Sequence, residues 1–357
     1  MQDLPKKIEG GHYPQGHVQG IAVDTKQGFV YYSFTTSLVK TDLQGNLIGS
    51  VEGLTGHLGC IDISPEDGRI YGSLEYKNDS IGQGIFKRLG RDGAPLENAF
   101  YIAVFEADRI TRPNMDAERD AIMNAVYLPD VVRDFEAEGL DGHPHRYACS
   151  GCDGLAFAPA FGADADAPCM LMLAYGIYGN TERTDNDHQV ILQYDPRVFD
   201  AYAKPLRQEA PHHDGPSADA RYFAYTGNTN WGVQNLCYDA EARRMLLFVY
   251  RGKKAHFPNY GLYAVDCTKP PKIAPLMGLN GEEGPLLPAA EIGILHEESG
   301  VRGFEMDLGQ CGIHALGNSL FYIAKPYSVT EGQKHHGATL LLYRYTGKEP
   351  TGFEAVV

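Results

Sequence analysis

The stretch Gly16-His17-Val18-Gln19-Gly20-Ile21 returns 40 residues later as Gly56-His57-Leu58-Gly59-Cys60-Ile61. Three further copies follow: Ser150-Gly151-Cys152-Asp153-Gly154-Leu155, Trp231-Gly232-Val233-Gln234-Asn235-Leu236 and Leu308-Gly309-Gln310-Cys311-Gly312-Ile313. Each joins a small or polar cluster containing Gly to the start of a short apolar run. An opening that recurs at long intervals, with more strands behind each copy, marks the innermost strand of a β-propeller blade. The first interval also matches the ~40 to 45 residues of a four-stranded blade. The chain therefore reads as all-β, a five-bladed β-propeller of four-stranded antiparallel blades with a short helical insertion in the 108–146 region. It reads as one domain over residues 1–357, with blades at approximately 17–56, 57–150, 151–231, 232–308 and 309–357.

Strands fill in behind each opening. Blade 1 supplies Ile21 to Asp24, Phe29 to Thr35, Ser37 to Leu43 and Leu47 to Val51, β-branched or aromatic runs separated by turn residues such as Lys26-Gln27-Gly28. Blade 2 supplies Cys60 to Ser64, Arg69 to Tyr76, Gly84 to Leu89 and Phe100 to Phe105. Blade 3 is expected at Leu155 to Ala158, Met170 to Tyr175, Gln189 to Tyr194 and Arg221 to Tyr225. Blade 4 is expected at Leu236 to Asp239, Met245 to Tyr250, Gly261 to Val265 and Gly303 to Asp307. Blade 5 contributes Ile313 to Leu316, Ser319 to Ala324, Thr339 to Tyr345 and Gly352 to Val357. Either that last run or Lys6 to Glu9 can close the ring and cover its exposed edge. Three long insertions interrupt the plan. Residues 108–146 show helix-like spacing at Asn114 to Asn124 and Leu128 to Glu138, residues 195–220 read as coil, and residues 269–302 are rich in Pro and Gly.

Apolar residues make up 43% of the chain and charged residues 22%, the balance of a globular protein with a full core. A net charge of −15 argues against nucleic acid as a partner, since neutralising phosphates needs a surplus of Lys and Arg. No run approaches the ~20 apolar residues of a membrane span, and residues 1–10 lack the apolar core of a signal peptide. The expectation is a cytoplasmic protein without a membrane partner. Nothing in the sequence speaks to oligomeric state. Seven cysteines, several inside apolar runs, read as reduced thiols, and Cys149-Ser150-Gly151-Cys152 stands without the second pair of a zinc site. Walker, Gly-x-Gly-x-x-Gly and Gly-x-Ser-x-Gly motifs are absent, so no nucleotide cofactor is expected.

The repeat pattern resembles the five-bladed propellers that include arabinanase-type glycosidases and tachylectin-type sugar binders. The resemblance covers nearly the whole chain and carries no catalytic motif with it. Asp153 is the one acid in the five openings, where an arabinanase-like funnel would present carboxylates from several blades.

Because inner and second strands run antiparallel, the start of one and the end of the other share a face. Two rings of residues should therefore line one axial funnel. The openings bring His17, Gln19, His57, Asp153, Gln234, Cys311 and Trp231. The second-strand ends bring Thr35, Glu75, Lys77, Tyr175, Tyr178, Tyr250, Arg251 and Lys325, and nearby loops add His188, His256, His335 and His336. His17 and His57 share a register in adjacent blades and suit a divalent metal completed by Asp153, with Gln19, Gln234 or His314 as further candidates. The alternative is that they cap strands. Glu75 lies in an otherwise apolar strand and is the candidate general acid or base, with His17 and His57 beside it; a structural ion pair with Arg251 or Lys325 is its other reading. Arg251 and Lys325 suit a substrate anion, while Tyr175, Tyr250, Gln19, Gln234 and Trp231 are candidate substrate contacts. Most of the 22 tyrosines alternate in strands, as packing between blades requires.

The expected function is that of an enzyme, a hydrolase, lyase or isomerase, acting on a small anionic or carbohydrate ligand in the funnel. The alternative is a non-catalytic propeller that binds a glycan or protein through its loops 108–146 and 269–302.

Overall fold

The structure, a computed structural model, describes residues 4–139, 142–175, 179–227 and 230–356. Tyr178 and Val357 lie outside the described residues. Five small sheets stand in a ring, the arrangement of a five-bladed propeller. Their innermost strands are Val18–Asp24, His57–Ile63, Gly154–Pro159, Asn230–Asp239 and Ile313–Gly317. Each packs against the next, and the last packs against the first.

Both faces of each blade meet a neighbour, so strands such as Ile70–Tyr76 are buried throughout. Side chains alternate between the faces. Tyr31 joins the apolar cluster shared with blade 2, and the next residue, Tyr32, joins the cluster shared with blade 5. Tyr71, Tyr101, Tyr194 and Tyr322 are buried the same way, which accounts for much of the tyrosine content.

Asn235 ties the inner strands at the axis. Its Nδ2 donates to the carbonyls of Gln19 (2.8 Å) and Gln310 (3.0 Å), in blades 1 and 5, and its Oδ1 accepts from Cys60 Sγ of blade 2 at 3.3 Å. At the seam, Lys7–Tyr13 pairs with Gln333–Tyr345 from Lys7↔Leu341 to Tyr13↔His336, and Phe353–Ala355 takes the remainder of that edge at Tyr343 to Tyr345. Both chain ends thus share the closure that the sequence left open between them.

Blade 2 departs from expectation. Gly84 to Leu89 is not a strand but part of helix α1, Ser80–Arg88. The Asp79 side chain accepts from the N–H groups of Ile81 and Gly82 and caps it, and Gly82, Ile85 and Phe86 form its buried face. Ala99–Phe105 is accordingly the third strand, and the outer one is Met123–Tyr127, paired Met123↔Phe105 to Tyr127↔Tyr101. Asn114 to Asn124 is therefore not helical: the edge of Ala99–Phe105 recruits Met123 and Asn124, and Met115–Asp116 runs parallel to Leu47–Glu52. The second expected helix does form, as α2 at Pro129–Glu136 with Pro at its first position, where no N–H is needed.

Insertion 269–302 supplies Lys272–Pro275 and Glu283–Leu286, which extend blade 3. In place of an outer strand at Gly303 to Asp307, blade 4 has a bridge from Phe304 to Leu262, while Arg302–Gly303 pairs with Ile294–Leu295. All seven cysteines are free thiols, and no helix among the described residues is long and apolar enough to cross a membrane.

His188 is buried against the rings of Phe223 and Tyr225, with no hydrogen bond to either ring nitrogen among the described residues. Burial brings its pKa down to about 4. The folded chain keeps this imidazole neutral while the unfolded chain protonates below the ordinary value, so stability is lost as pH falls from 6.5 toward 4. The cost at pH 5 is about 2 kcal/mol. His188→Phe should therefore narrow the gap between urea midpoints measured at pH 7 and pH 5. An unchanged gap would show that this residue does not set the acid sensitivity.

Candidate functional site

The strand after His57–Ile63 runs antiparallel to it, and the register sets Glu75 opposite His57. Blade 3 is docked onto blade 2 through the carbonyl of Asp153, which accepts from Cys60 N–H (3.0 Å) and Ser73 Oγ (3.2 Å). This docking carries the Asp153 carboxylate to His57, with Oδ1 3.4 Å from Nδ1. Gly59 makes the approach feasible, because a Cβ there would lie 2.9 Å from Asp153 Oδ1 and 2.4 Å from Ser73 Oγ. Gly151 does the same for Glu75: its φ is +137°, and a Cβ would come within 2.3 Å of Glu75 Oε1. The glycines of the openings thus leave room for carboxylates as well as starting strands.

Glu75 is 2% exposed. Its Oε1 accepts from the Cys152 N–H, and its Oε2 lies 2.8 Å from Lys77 Nζ and 3.8 Å from His57 Nδ1. Lys77, also buried, donates to Ser150 O at 2.9 Å. Asp153 Oδ2 accepts from Gln234 Nε2 at 3.1 Å, and the same amide donates to Trp231 O at 3.0 Å. Among the described residues, His57 Nδ1 and Asp153 Oδ1 are buried without a hydrogen-bond partner, and Glu75 Oε2, also buried, meets Lys77 Nζ at 2.8 Å. His57, Glu75 and Asp153 each offer one ligand atom within 4.8 Å of the others, a group able to hold a metal ion.

Burial sets the electrostatics. It brings His57 down to about 4, against the pull of Glu75, so the imidazole is neutral at pH 7. It pushes the Glu75 and Asp153 carboxyls up from the usual carboxylate range, a rise that Lys77 limits. For Lys77 burial acts against the charge, but Glu75, Asp153 and Asp79 outweigh it and hold the ammonium above the usual lysine range.

The cluster opens into a cavity of about 560 Å³ on the axis. His17, Gln19, Thr35, Gln234, Tyr250 and Trp231 line it as expected from the blade openings and strand ends. His17 is turned toward its own blade, 3.1 Å from the Gln19 amide and 3.3 Å from Val18 O, and burial lowers its pKa. Glu75, rather than His17, therefore completes the group with His57 and Asp153. Tyr250 Oη sits 3.8 Å from Cys311 Sγ, and Trp231, 43% exposed, stands at the wall.

Three expected substrate contacts lie elsewhere. Tyr175 is fully buried and donates to Asp134 of α2; blade 3 pairs Gly154 with Ala174, and a one-residue change of register turns a side chain to the opposite face. Arg251 donates to Asn259 O at 3.0 Å and lies 3.8 Å from Asp307, so it is held outside the mouth. Lys325 lines a separate outer groove with Lys7 and Glu9. Glu75 accordingly pairs with Lys77, not with either of those cations. His314 lies outside the axial cavity, in a separate small pocket with Asp62 at 3.8 Å. His256 faces Glu298, His188 is in the blade 3 core, and His335 contacts His12.

Sequence reading missed the wall made by α1, which contributes Ser80, Ile81, Gly84, Ile85 and Arg88. The signal was present: a capping Asp79, Ile81 and Ile85 four apart, and Lys87-Arg88 at the end.

No protein-family model matches the chain, and no curated protein matches it in sequence. Among solved structures it is similar to the apo-form of the soluble aldose sugar dehydrogenase from Escherichia coli, with a TM-score of 0.38 and 9% identity over 93% of this chain and 98% of that one. A likeness at that level bears on neither substrate nor chemistry.

Proposed function

We propose that the protein is an enzyme acting on a small anionic substrate, a sugar acid or oligosaccharide fragment, in the axial cavity, with a divalent cation held by His57, Glu75 and Asp153. The observation that carries the reading is the convergence of three buried atoms with unused lone pairs at the floor of an open cavity. Ligands about 2.1 Å from a tetrahedral cation stand about 3.4 Å apart. Asp153 Oδ1 and Glu75 Oε2 lie 3.4 and 3.8 Å from His57 Nδ1. His57 is neutral at pH 7 and ready to ligate. Lys77 uses one lone pair of Glu75 Oε2 and leaves another. A cation bound there would polarise a carbonyl or activate water.

The remaining residues support proton-transfer chemistry. His17, exposed on the cavity wall and held 3.1 Å from the Gln19 amide, is the candidate base. Trp231 and Tyr250 offer apolar faces to a sugar ring. Hydrolysis, β-elimination and isomerisation all draw on this set. The rival reading of a binding module placed its contacts on loops 108–146 and 269–302, and among the described residues none that lines the cavity comes from either loop.

The test is metal content by mass spectrometry on protein purified without a histidine tag. About one equivalent is expected, lost in His57→Ala and in Asp153→Asn, with turnover of uronic-acid substrates abolished by chelator and restored by the metal. Affinity should fall as the pH is lowered, because burial has raised the Glu75 and Asp153 carboxyls above the usual carboxylate range and protons compete with the cation for them, by up to about tenfold per pH unit for each competing proton. Equal metal content in wild type and both variants would remove the site.

A further inference from the structure

Blade 5 carries a hairpin longer than those of the other blades. Its strands, Leu320–Glu331 and Gln333–Tyr345, have 12 and 13 residues, where the second strands of blades 1 to 4 have 6 or 7. Pairing runs without a break from Leu320↔Arg344 to Glu331↔Gln333. Ala324 N–H still bonds Gly312 O of the blade opening, so residues 326–336 rise beyond the blade, by roughly 15–20 Å at ~3.3 Å per residue.

The projecting segment stands beside the cavity mouth. Its His336 pairs with Tyr13, and the His336 ring centroid is 6.2 Å from that of His17 in the cavity wall. Ser328 Oγ lies 3.1 Å from His336 Nδ1, which marks the face they share. Alternation puts Lys334 on the same face. Arg88, at the C-terminal end of α1, lines the cavity from the other side and reaches over Gly16, where a Cβ would be 3.4 Å from its Nη1. Arg88 and Lys334 are exposed, and among the described residues neither side chain has a hydrogen-bond or ion-pair partner. Two unpaired cations flanking two imidazoles on one rim, in a chain of net charge −15, make a local attractor for anions.

We propose that Arg88, Lys334, His17 and His336 form an outer oxyanion site, which holds a carboxylate, sulfate or phosphate group of the substrate while another part lies against His57, Glu75 and Asp153. Arg88 supplies the planar fork that suits such groups, and Lys334 a mobile point charge. The inference rests on the cavity being the active site, but oxyanion binding can be measured apart from turnover.

The experiment titrates inorganic sulfate, inorganic phosphate and glucuronate into the full chain by calorimetry, while NMR follows the imidazole signals of His17 and His336. At least one probe should bind one-to-one and move both imidazoles, and the three titrations identify the preferred group. Arg88→Ala and Lys334→Ala should each weaken binding about tenfold, with the control Lys7→Ala unchanged. Binding that is equal in wild type and the Arg88→Ala/Lys334→Ala double variant would overturn the proposal, as would titrations that move neither imidazole. Metal content measured on the same samples separates the two readings. Oxyanion binding without metal sinks only the metal centre, and metal without oxyanion binding sinks only the outer site.

Discussion

Replacing Glu75 by Gln is expected to lower turnover by about a hundred- to ten-thousandfold and to destabilise the fold as well. The two effects have different origins. Gln keeps the shape and an acceptor for the Cys152 N–H, but it removes the charge that faces Lys77 at 2.8 Å. A buried ammonium left without its carboxylate costs about 3–5 kcal/mol. A second substitution, Lys77→Met, removes that stranded charge. The Glu75→Gln/Lys77→Met variant should recover most of the lost melting temperature and none of the turnover or metal. If the double variant regains turnover with its stability, Glu75 acts on the fold and not on the substrate.

The next largest effect is expected on stability, from Asn235→Ala. Asn235 is fully buried and satisfies the carbonyls of Gln19 and Gln310 while accepting from Cys60, so one amide joins blades 1, 2, 4 and 5 at the axis. Truncation leaves two buried carbonyls without that donor, at about 1–3 kcal/mol each. A loss of roughly 3–5 kcal/mol follows, read as a lower melting temperature by calorimetry and a lower urea midpoint. A loss under about 1 kcal/mol would mean that packing between blades holds the ring without this clasp.

Much of the architecture was legible because the inner strands are a repeated local solution to the same problem. Gly and a polar residue open each strand where five inner strands converge, and an apolar run follows because both faces of a blade are covered. Gly84-Ile85-Phe86 misled for the opposite reason. A short apolar run fits a buried strand or one side of a helix equally well, and only the cap at Asp79 and the packing of Phe86 decide between them. Glu75 could be singled out as a charge in an apolar strand. Its partner could not, since Lys77 and Arg251 are alike as cations near strand ends and differ only in which way the chain turns them.

The sequence by itself determined the five openings, the order of strands in blades 1 and 3, and that His17, Gln19, His57, Asp153 and Gln234 gather at one end of the axis. Each of these follows from periodicity, which is local and survives reading one residue at a time. Tertiary structure decided which side chains touch. It set Glu75 opposite His57 by strand register and brought Asp153 to them by docking blade 3 on blade 2, turned Tyr175 into a blade interior by its register, and brought α1 and the blade 5 hairpin to the mouth. It also set the charges, because desolvation depends on neighbours that lie far away in the chain. Burial keeps His57 neutral, and Lys77 retains its charge against burial because Asp153, brought from the next blade, joins its sequence neighbours Glu75 and Asp79 around it.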